Sequence, residues 1–202
     1  LLAVGALGAA LPYVWPFAAA LLCALCGCAV SSVEELYALP RHSEEDNELQ
    51  KAIDSVMTEG VQYAAPVSGK NQQSVQLADL DADGEDEAIV FLRVPGDRPL
   101  RACVFDLTDG AYRSLGFIDG SGAAFERAEY VQLDGEPGVE IVLGRQVGNQ
   151  VLRAMSVYTL REGQLVELMS TNYSEYALTD LDLDGNREIF LLRFDPEAKT
   201  GT

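Results

Sequence analysis

From residue 75 onward apolar and polar side chains alternate with a period of two, in short runs broken by turn residues. The runs are SVQLADL (74–80), EAIVFLR (87–93), RACVFDL (101–107), AYRSLGFI (111–118), FERAEYVQL (125–133), VEIVLGR (139–145), VLRAMSVYTL (151–160), QLVELMS (164–170), SEYALTDL (174–181) and REIFLLRF (187–194). Such alternation sets successive side chains on opposite faces of a pleated strand. Short strands separated by polar turns predict an all-β region over residues 74–202. Ahead of it, SEEDNELQKAIDSVMTEG (43–60) changes to a helical period, with Leu49, Ile53, Val56 and Met57 on one face. Ser43 suits the N-cap, Glu44, Glu45 and Asp46 suit the positive end of the helix dipole, and Gly60 is the expected stop.

The strand region repeats itself. VFDLTDGAYRSL (104–115) aligns without a gap on VYTLREGQLVEL (157–168), and at the same shift Leu80 falls on Leu133, Asp81 on Asp134 and Glu87 on Glu140. A third copy begins with Leu181 and Glu188 at the matching places. The units run about 75–120, 125–170 and 174–202, the last incomplete. In each full unit a tight turn, Asp109-Gly110 or Glu162-Gly163, joins the third and fourth strands. Four-stranded units of about 50 residues are the pattern of β-propeller blades. A duplicated β-sandwich fits the same pattern; a helical solenoid does not. Because a propeller needs more blades to close, the pattern leads us to expect a fragment of a longer chain.

The first and second strands of each unit are joined by acidic turns. DLDADGEDE (79–87) and DLDLDGNRE (180–188) place aspartates at loop positions one, three and five, glycine at six and glutamate at nine. Alternate carboxylates in a tight loop point inward together, which suits a hard cation needing six or seven oxygens, and glycine permits the sharp bend. The expected ligands are Asp79, Asp81, Asp83, the carbonyl of Glu85 and Glu87 in one loop, and Asp180, Asp182, Asp184, the carbonyl of Asn186 and Glu188 in the other. Ca2+ is the expected ion, since Mg2+ prefers to keep several waters. An EF-hand is excluded, because position twelve is Val90 or Leu191, within apolar strands. A nine-residue calcium loop joining two strands resembles the FG-GAP and VCBS-type repeats of integrin-like propellers and bacterial surface proteins. Those families usually close the loop with Asp where this chain has Glu. The middle loop offers Gln132, Asp134, Glu136 and Glu140 with Pro137 in place of glycine, and is expected to hold no metal. Solvated turns are the plain alternative for all three, since Asp and Gly are ordinary turn residues.

Composition narrows the setting. Asp and Glu number 32 against 14 Lys and Arg in 202 residues, a formal net charge of −18. Such a surface repels phosphate backbones, so nucleic acid is not an expected partner. Residues 1–27 carry no charge and end in Leu25-Cys26-Gly27-Cys28. This resembles the bacterial lipobox, which implies cleavage before Cys28 and lipidation of that cysteine, although Cys26 stands where the family usually has a small or β-branched residue. Residues 1–28 then form a lipoprotein signal peptide and 29–42 a tether, in which VEELYALP resembles the start of the mature chain in a group of clostridial lipoproteins. An uncleaved transmembrane anchor is the alternative, the stretch being long enough to span a bilayer. Either way the acidic region sits on the extracytoplasmic face of the cell membrane. The missing initiator Met and Lys/Arg-rich start lead us to expect an incomplete signal sequence.

Catalytic groups are scarce. Cys103 is the one cysteine outside the N-terminal segment and sits in an apolar run, where a small core residue is expected. The single histidine, His42, precedes the repeats, so no Ser-His-Asp or Cys-His set can be assembled in the β region. The expected function is therefore a binding or scaffold module, with a protein or polysaccharide ligand, rather than an enzyme. The alternative is an extracytoplasmic hydrolase or lyase whose catalytic residues lie in a further C-terminal part. The lipobox reading predicts that a palmitate analogue fed to cells marks the protein and that Cys28→Ala abolishes the mark. Label surviving the substitution would refute it.

Overall fold

The computed structural model describes residues 44–148, 153–195 and 200–201. The N-terminal apolar segment, Cys28, the tether and the expected N-cap Ser43 lie outside the described residues. Among the described residues no helix is long and apolar enough to cross a membrane.

The described chain is mostly β, as expected, with one helix. Helix α1 (Glu44–Val56) leads into β1 (Gln62–Tyr63) and β2 (Val75–Ala78), which pair with successive stretches of β3 (Glu87–Arg93). Strands β4 (Leu100–Thr108) and β5 (Ala111–Gly120) complete an antiparallel sheet. A second antiparallel sheet runs β6 (Ala124–Val131), β7 (Glu140–Gln146), β8 (Arg153–Arg161) and β9 (Gln164–Tyr173), in that order. The hairpin β10 (Glu175–Thr179) and β11 (Glu188–Leu192) follows, then the short pair β12 (Phe194–Asp195) and β13 (Thr200–Gly201). Sheet order repeats in detail. The outer ladder of each full sheet slips at a β-bulge, at Val104/Phe105 in one and Val157/Tyr158 in the other.

The turns behave as their residues require. Asp109 and Gly110 have φ of 53° and 74°, and Glu162 and Gly163 have 50° and 70°. Positive φ at both central residues gives the tight turn whose twist matches the flanking strands. Three expected strand runs are too long. Asp79-Leu80, Gln132-Leu133 and Asp180-Leu181 leave their strands, because the N–H of each second residue bonds a glutamate side chain instead of a neighbouring strand. The helix also ends early, at Val56. The Met57 N–H still reaches the Ile53 carbonyl, but Thr58 turns back to Val56, and Gly60, with φ of 83°, lies within the following turn.

Strands β3 and β7 are buried on both faces, and this makes the molecule a stack. On β3, Ala88, Val90 and Leu92 point to one side, where they meet Ile53 and, around it, Leu49, Val56 and Met57 of α1. Ile89 and Phe91 point to the other, into a core shared with Phe125, Ala128, Ile141 and Leu143 of the second sheet. The Phe91 and Phe125 rings meet edge to face at 5.0 Å. Val142, Met155 and Val157 then face the third hairpin, against Tyr176, Leu178, Ile189 and Leu191. The sequence of layers is helix, sheet, sheet, hairpin. Among the described residues nothing packs on the far face of the hairpin: Phe190 is 46% and Leu192 48% exposed, whereas Ile89 and Val142, which hold the position of Phe190 in the preceding sheets, are fully buried. Cys103 is free and buried, as expected, and burial pushes its thiol up to about 12.

Ile53 joins the helix to the stack and is 3% exposed. Ile53→Ala is expected to cost about 2–4 kcal/mol, read as a lower urea midpoint at unchanged slope. An unchanged midpoint would mean that the helix contributes nothing to the fold.

Candidate metal centres at the acidic loops

The acidic loops connect β2 to β3, β6 to β7 and β10 to β11. In loops 79–87 and 180–188 the backbone follows one path. Position four takes a left-handed conformation (Ala82, φ 62°; Leu183, φ 63°), and so does the glycine at six (Gly84, 93°; Gly185, 98°). The glycine was foreseeable; a non-glycine residue in this region at position four was not, and it costs on the order of 1 kcal/mol.

The internal hydrogen bonds match as well. Gly84 N–H donates to Asp79 Oδ2 at 3.2 Å and Gly185 N–H to Asp180 Oδ2 at 3.1 Å. Asp83 N–H donates to Asp81 and Asp184 N–H to Asp182, at 3.2 and 3.3 Å. Glu85 and Asn186 donate their N–H groups to Asp83 and Asp184, at 2.8 and 2.7 Å. The glutamate at position nine closes each loop by accepting the N–H of position two: Leu80 to Glu87 at 2.6 Å and Leu181 to Glu188 at 2.8 Å. One oxygen of each expected glutamate ligand is therefore engaged with the backbone.

Carboxylate oxygens from Asp79, Asp81 and Glu87 lie within 4.8 Å of one another, and so do those from Asp180, Asp182 and Asp184. Asp83 and Glu188 stand outside these two closest triads. Three oxygens are buried with no hydrogen-bond partner: Asp79 Oδ1 and Glu87 Oε1 in the first loop, and Asp180 Oδ1 in the third. An unsatisfied buried acceptor costs about 1–3 kcal/mol, more when charged. Burial pushes the Glu87 carboxyl up to about 7 against the opposing Leu80 hydrogen bond, and Asp81 and Asp106 add repulsion. Burial, with the neighbouring Asp83 and Asp79, likewise raises Asp81. Asp106 was not singled out in the sequence, because nothing local joins it to the loop. The same repulsions and orphaned oxygens would be relieved by one divalent cation, and the donor set, all carboxylate oxygen, suits a hard one.

The middle loop supplies an internal comparison. Its backbone bends at Gly135 (φ 79°) and Gly138 (φ 103°) instead, with Pro137 between. Gln132 replaces the first aspartate. Its side-chain oxygen accepts the N–H groups of Asp134 and Gly135, at 3.1 and 2.9 Å, while its amide nitrogen donates to the carbonyls of Glu136 and Gly138. Arg161 pairs with Asp134 at 2.7 Å. Glu140 accepts Leu133 N–H through one oxygen and the Thr159 hydroxyl through the other, so neither is orphaned. Asp106 occupies the place of Thr159 in the first unit. A neutral glutamine in place of the first aspartate, and the Arg161 guanidinium on Asp134, thus relieve the repulsion in this loop. Loop 180–188 has an amide donor, Asn186 to Asp184 at 3.1 Å, but among the described residues no cation paired with its aspartates. Neighbouring loops touch: Val139 N–H reaches the Leu80 carbonyl, Arg187 N–H reaches that of Gln132, and a Cβ on Gly138 would meet the Leu80 carbonyl oxygen at 2.1 Å.

No family model, curated protein or solved structure matches this chain. The geometry therefore has to carry the functional reading. Gln132→Ala removes the donor to two loop carbonyls and the acceptor for two N–H groups, and is expected to cost about 1–3 kcal/mol. The loss should be equal with and without divalent cations in a thermal melt. A cation-dependent loss would show that the middle loop behaves like its neighbours.

Proposed function

We propose that the protein is a lipid-anchored extracytoplasmic binding or scaffold module built of propeller-type β repeats, with Ca2+ held by loops 79–87 and 180–188. The contrast between loops carries the calcium assignment. Two loops keep buried carboxylate oxygens without a partner, and the middle loop, at the same place in its unit, has a glutamine amide and an arginine there. Asp79, Asp81 and Glu87 would hold one ion and Asp180, Asp182 and Asp184 the other, with Asp83, Glu85, Asn186 and Glu188 completing or shaping the loops. The ion's role is structural: it neutralises a cluster that otherwise repels itself and fixes each loop against the next unit. The propeller reading is supported by a four-strand order, β2 to β5 and β6 to β9, common to both sheets, by bulges at equivalent positions, and by face-to-face packing of successive units. The anchor is the lipidated Cys28 of the sequence reading, and the ligand is a protein or polysaccharide met outside the cytoplasm.

Linkage gives the test. A ligand that binds only the folded state stabilises it by RT ln(1 + [L]/Kd). Extracellular calcium modules bind at about 0.1–1 mM, so millimolar Ca2+ is expected to add on the order of 1 kcal/mol per loop and to raise the melting temperature by several degrees. Asp81→Ala and Asp182→Ala should each remove part of the increment and the double variant most of it. Asp134→Ala should leave the increment intact while lowering both melts through the lost Arg161 pair. Coincident scanning-calorimetry curves in calcium and in chelator would overturn the assignment.

A further inference from the structure

We infer that a cleft between β6 and the third acidic loop binds a small dianionic oxyanion, either inorganic or carried as a monoester. The protein's surplus is negative, yet this cleft of about 410 Å3 is lined by Lys70, Arg127 and Arg187, with Glu129 as the only carboxylate. Within this lining three positive groups stand against one negative, although Arg187 itself belongs to the acidic loop 180–188. Lys70 and Arg187 form no ion pair among the described residues. Glu129 is also largely spent, since one oxygen takes the Tyr176 hydroxyl at 2.9 Å and lies 3.4 Å from Arg127. Arg127 is held flat, its guanidinium 5.1 Å from the centre of the Tyr176 ring, and its buried Nε has no acceptor. Clustered cations repel one another, and in a chain with this many carboxylates they could easily have been paired. Their being left together, with Lys70 and Arg187 outside any ion pair among the described residues, points to an acceptor brought from outside.

The cleft is built beforehand. Ser68 N–H and Asn71 Nδ2 donate to the Glu126 and Ala128 carbonyls, at 2.8 and 3.1 Å, and tie the segment carrying Lys70 along β6. Gly69 has φ of 87°, and a Cβ there would stand 2.7 Å from Arg127 Cγ, so only glycine lets the segment lie this close. Arg187 is placed by its N–H bond to the Gln132 carbonyl. The volume suits a small molecule, and guanidinium groups match the planar edges of phosphate and sulfate. Tyr130 and Val131 complete the lining.

The probe is sodium sulfate, titrated calorimetrically into the full chain in detergent at one fixed calcium concentration, with sodium chloride at equal ionic strength as reference. Saturable one-to-one binding of sulfate is expected. Lys70→Ala and Arg187→Ala should each weaken it about tenfold, with unchanged melting temperatures because both side chains are unpaired. Arg161→Ala, which removes a cation elsewhere, should leave it unchanged. A phosphate monoester that binds at least as tightly as sulfate assigns the site to an organic ligand, and preference for the free anion assigns it to an inorganic one. Sulfate heats no larger than those of chloride, or full affinity in the Lys70→Ala/Arg187→Ala variant, would overturn the site.

Discussion

A carboxylate at the head of the second strand in each unit closes the loop before it. Glu87, Glu140 and Glu188 accept the N–H groups of Leu80, Leu133 and Leu181 at 2.6, 2.7 and 2.8 Å. The clasp lets the chain leave the first strand, make its bend and re-enter the sheet without stranding that donor. It also forces a charged group into the interior, since Glu87 and Glu140 are 0% and 2% exposed. Each unit must then deal with the second oxygen. The middle unit gives Glu140 a threonine hydroxyl. The first unit sets Asp106 near Glu87 and leaves the oxygen orphaned. One backbone requirement therefore yields a finished polar network in one loop and an electrostatic deficit in its neighbour.

The deficit is tolerable because the loops sit at the ends of rigid strands. Leu80, inside the first loop, is 1% exposed and belongs to the core between the two sheets. The acidic residues on either side of it cannot spread apart without disturbing that core, which is why repulsion among them is stored instead of relaxed. The third loop is less confined: Leu181 and Leu183 are 70% and 84% exposed. Its aspartates nonetheless keep the same internal hydrogen bonds as those of the first loop, so local backbone geometry accounts for most of the loop's shape, and packing for how firmly it is held.

Much of this was legible along the chain and some was not. The strands could be read because the apolar runs are short and bounded by turn residues, β3 and β7 as continuous apolar runs buried on both faces, and the hairpins because Asp-Gly and Glu-Gly can take positive φ. The aspartate triads could be read because all their members lie within one loop. Strand β1 could not, since Gln62 and Tyr63 pair with β3 through backbone alone and carry no pattern. The strand ends at Asp79, Gln132 and Asp180 were missed because a side-chain acceptor replaces the ladder there. The part played by Arg161 depends on a residue far from the loop it serves, and the cleft joins Lys70, Arg127 and Arg187 from three separate segments. Spacing holds no trace of such meetings.

The layers have two unlike ends. Helix α1 covers the outer face of the first sheet, while the last hairpin presents Phe190 and Leu192 to solvent. Phe190 and Leu192 stand where Ile89 and Phe91 stand in the first sheet, whose side chains are buried against the next layer, so the hairpin offers the same kind of face by which successive layers meet. The helix thus works as a cap on one face of the stack, keeping Ala88, Val90 and Leu92 out of reach of a further strand layer.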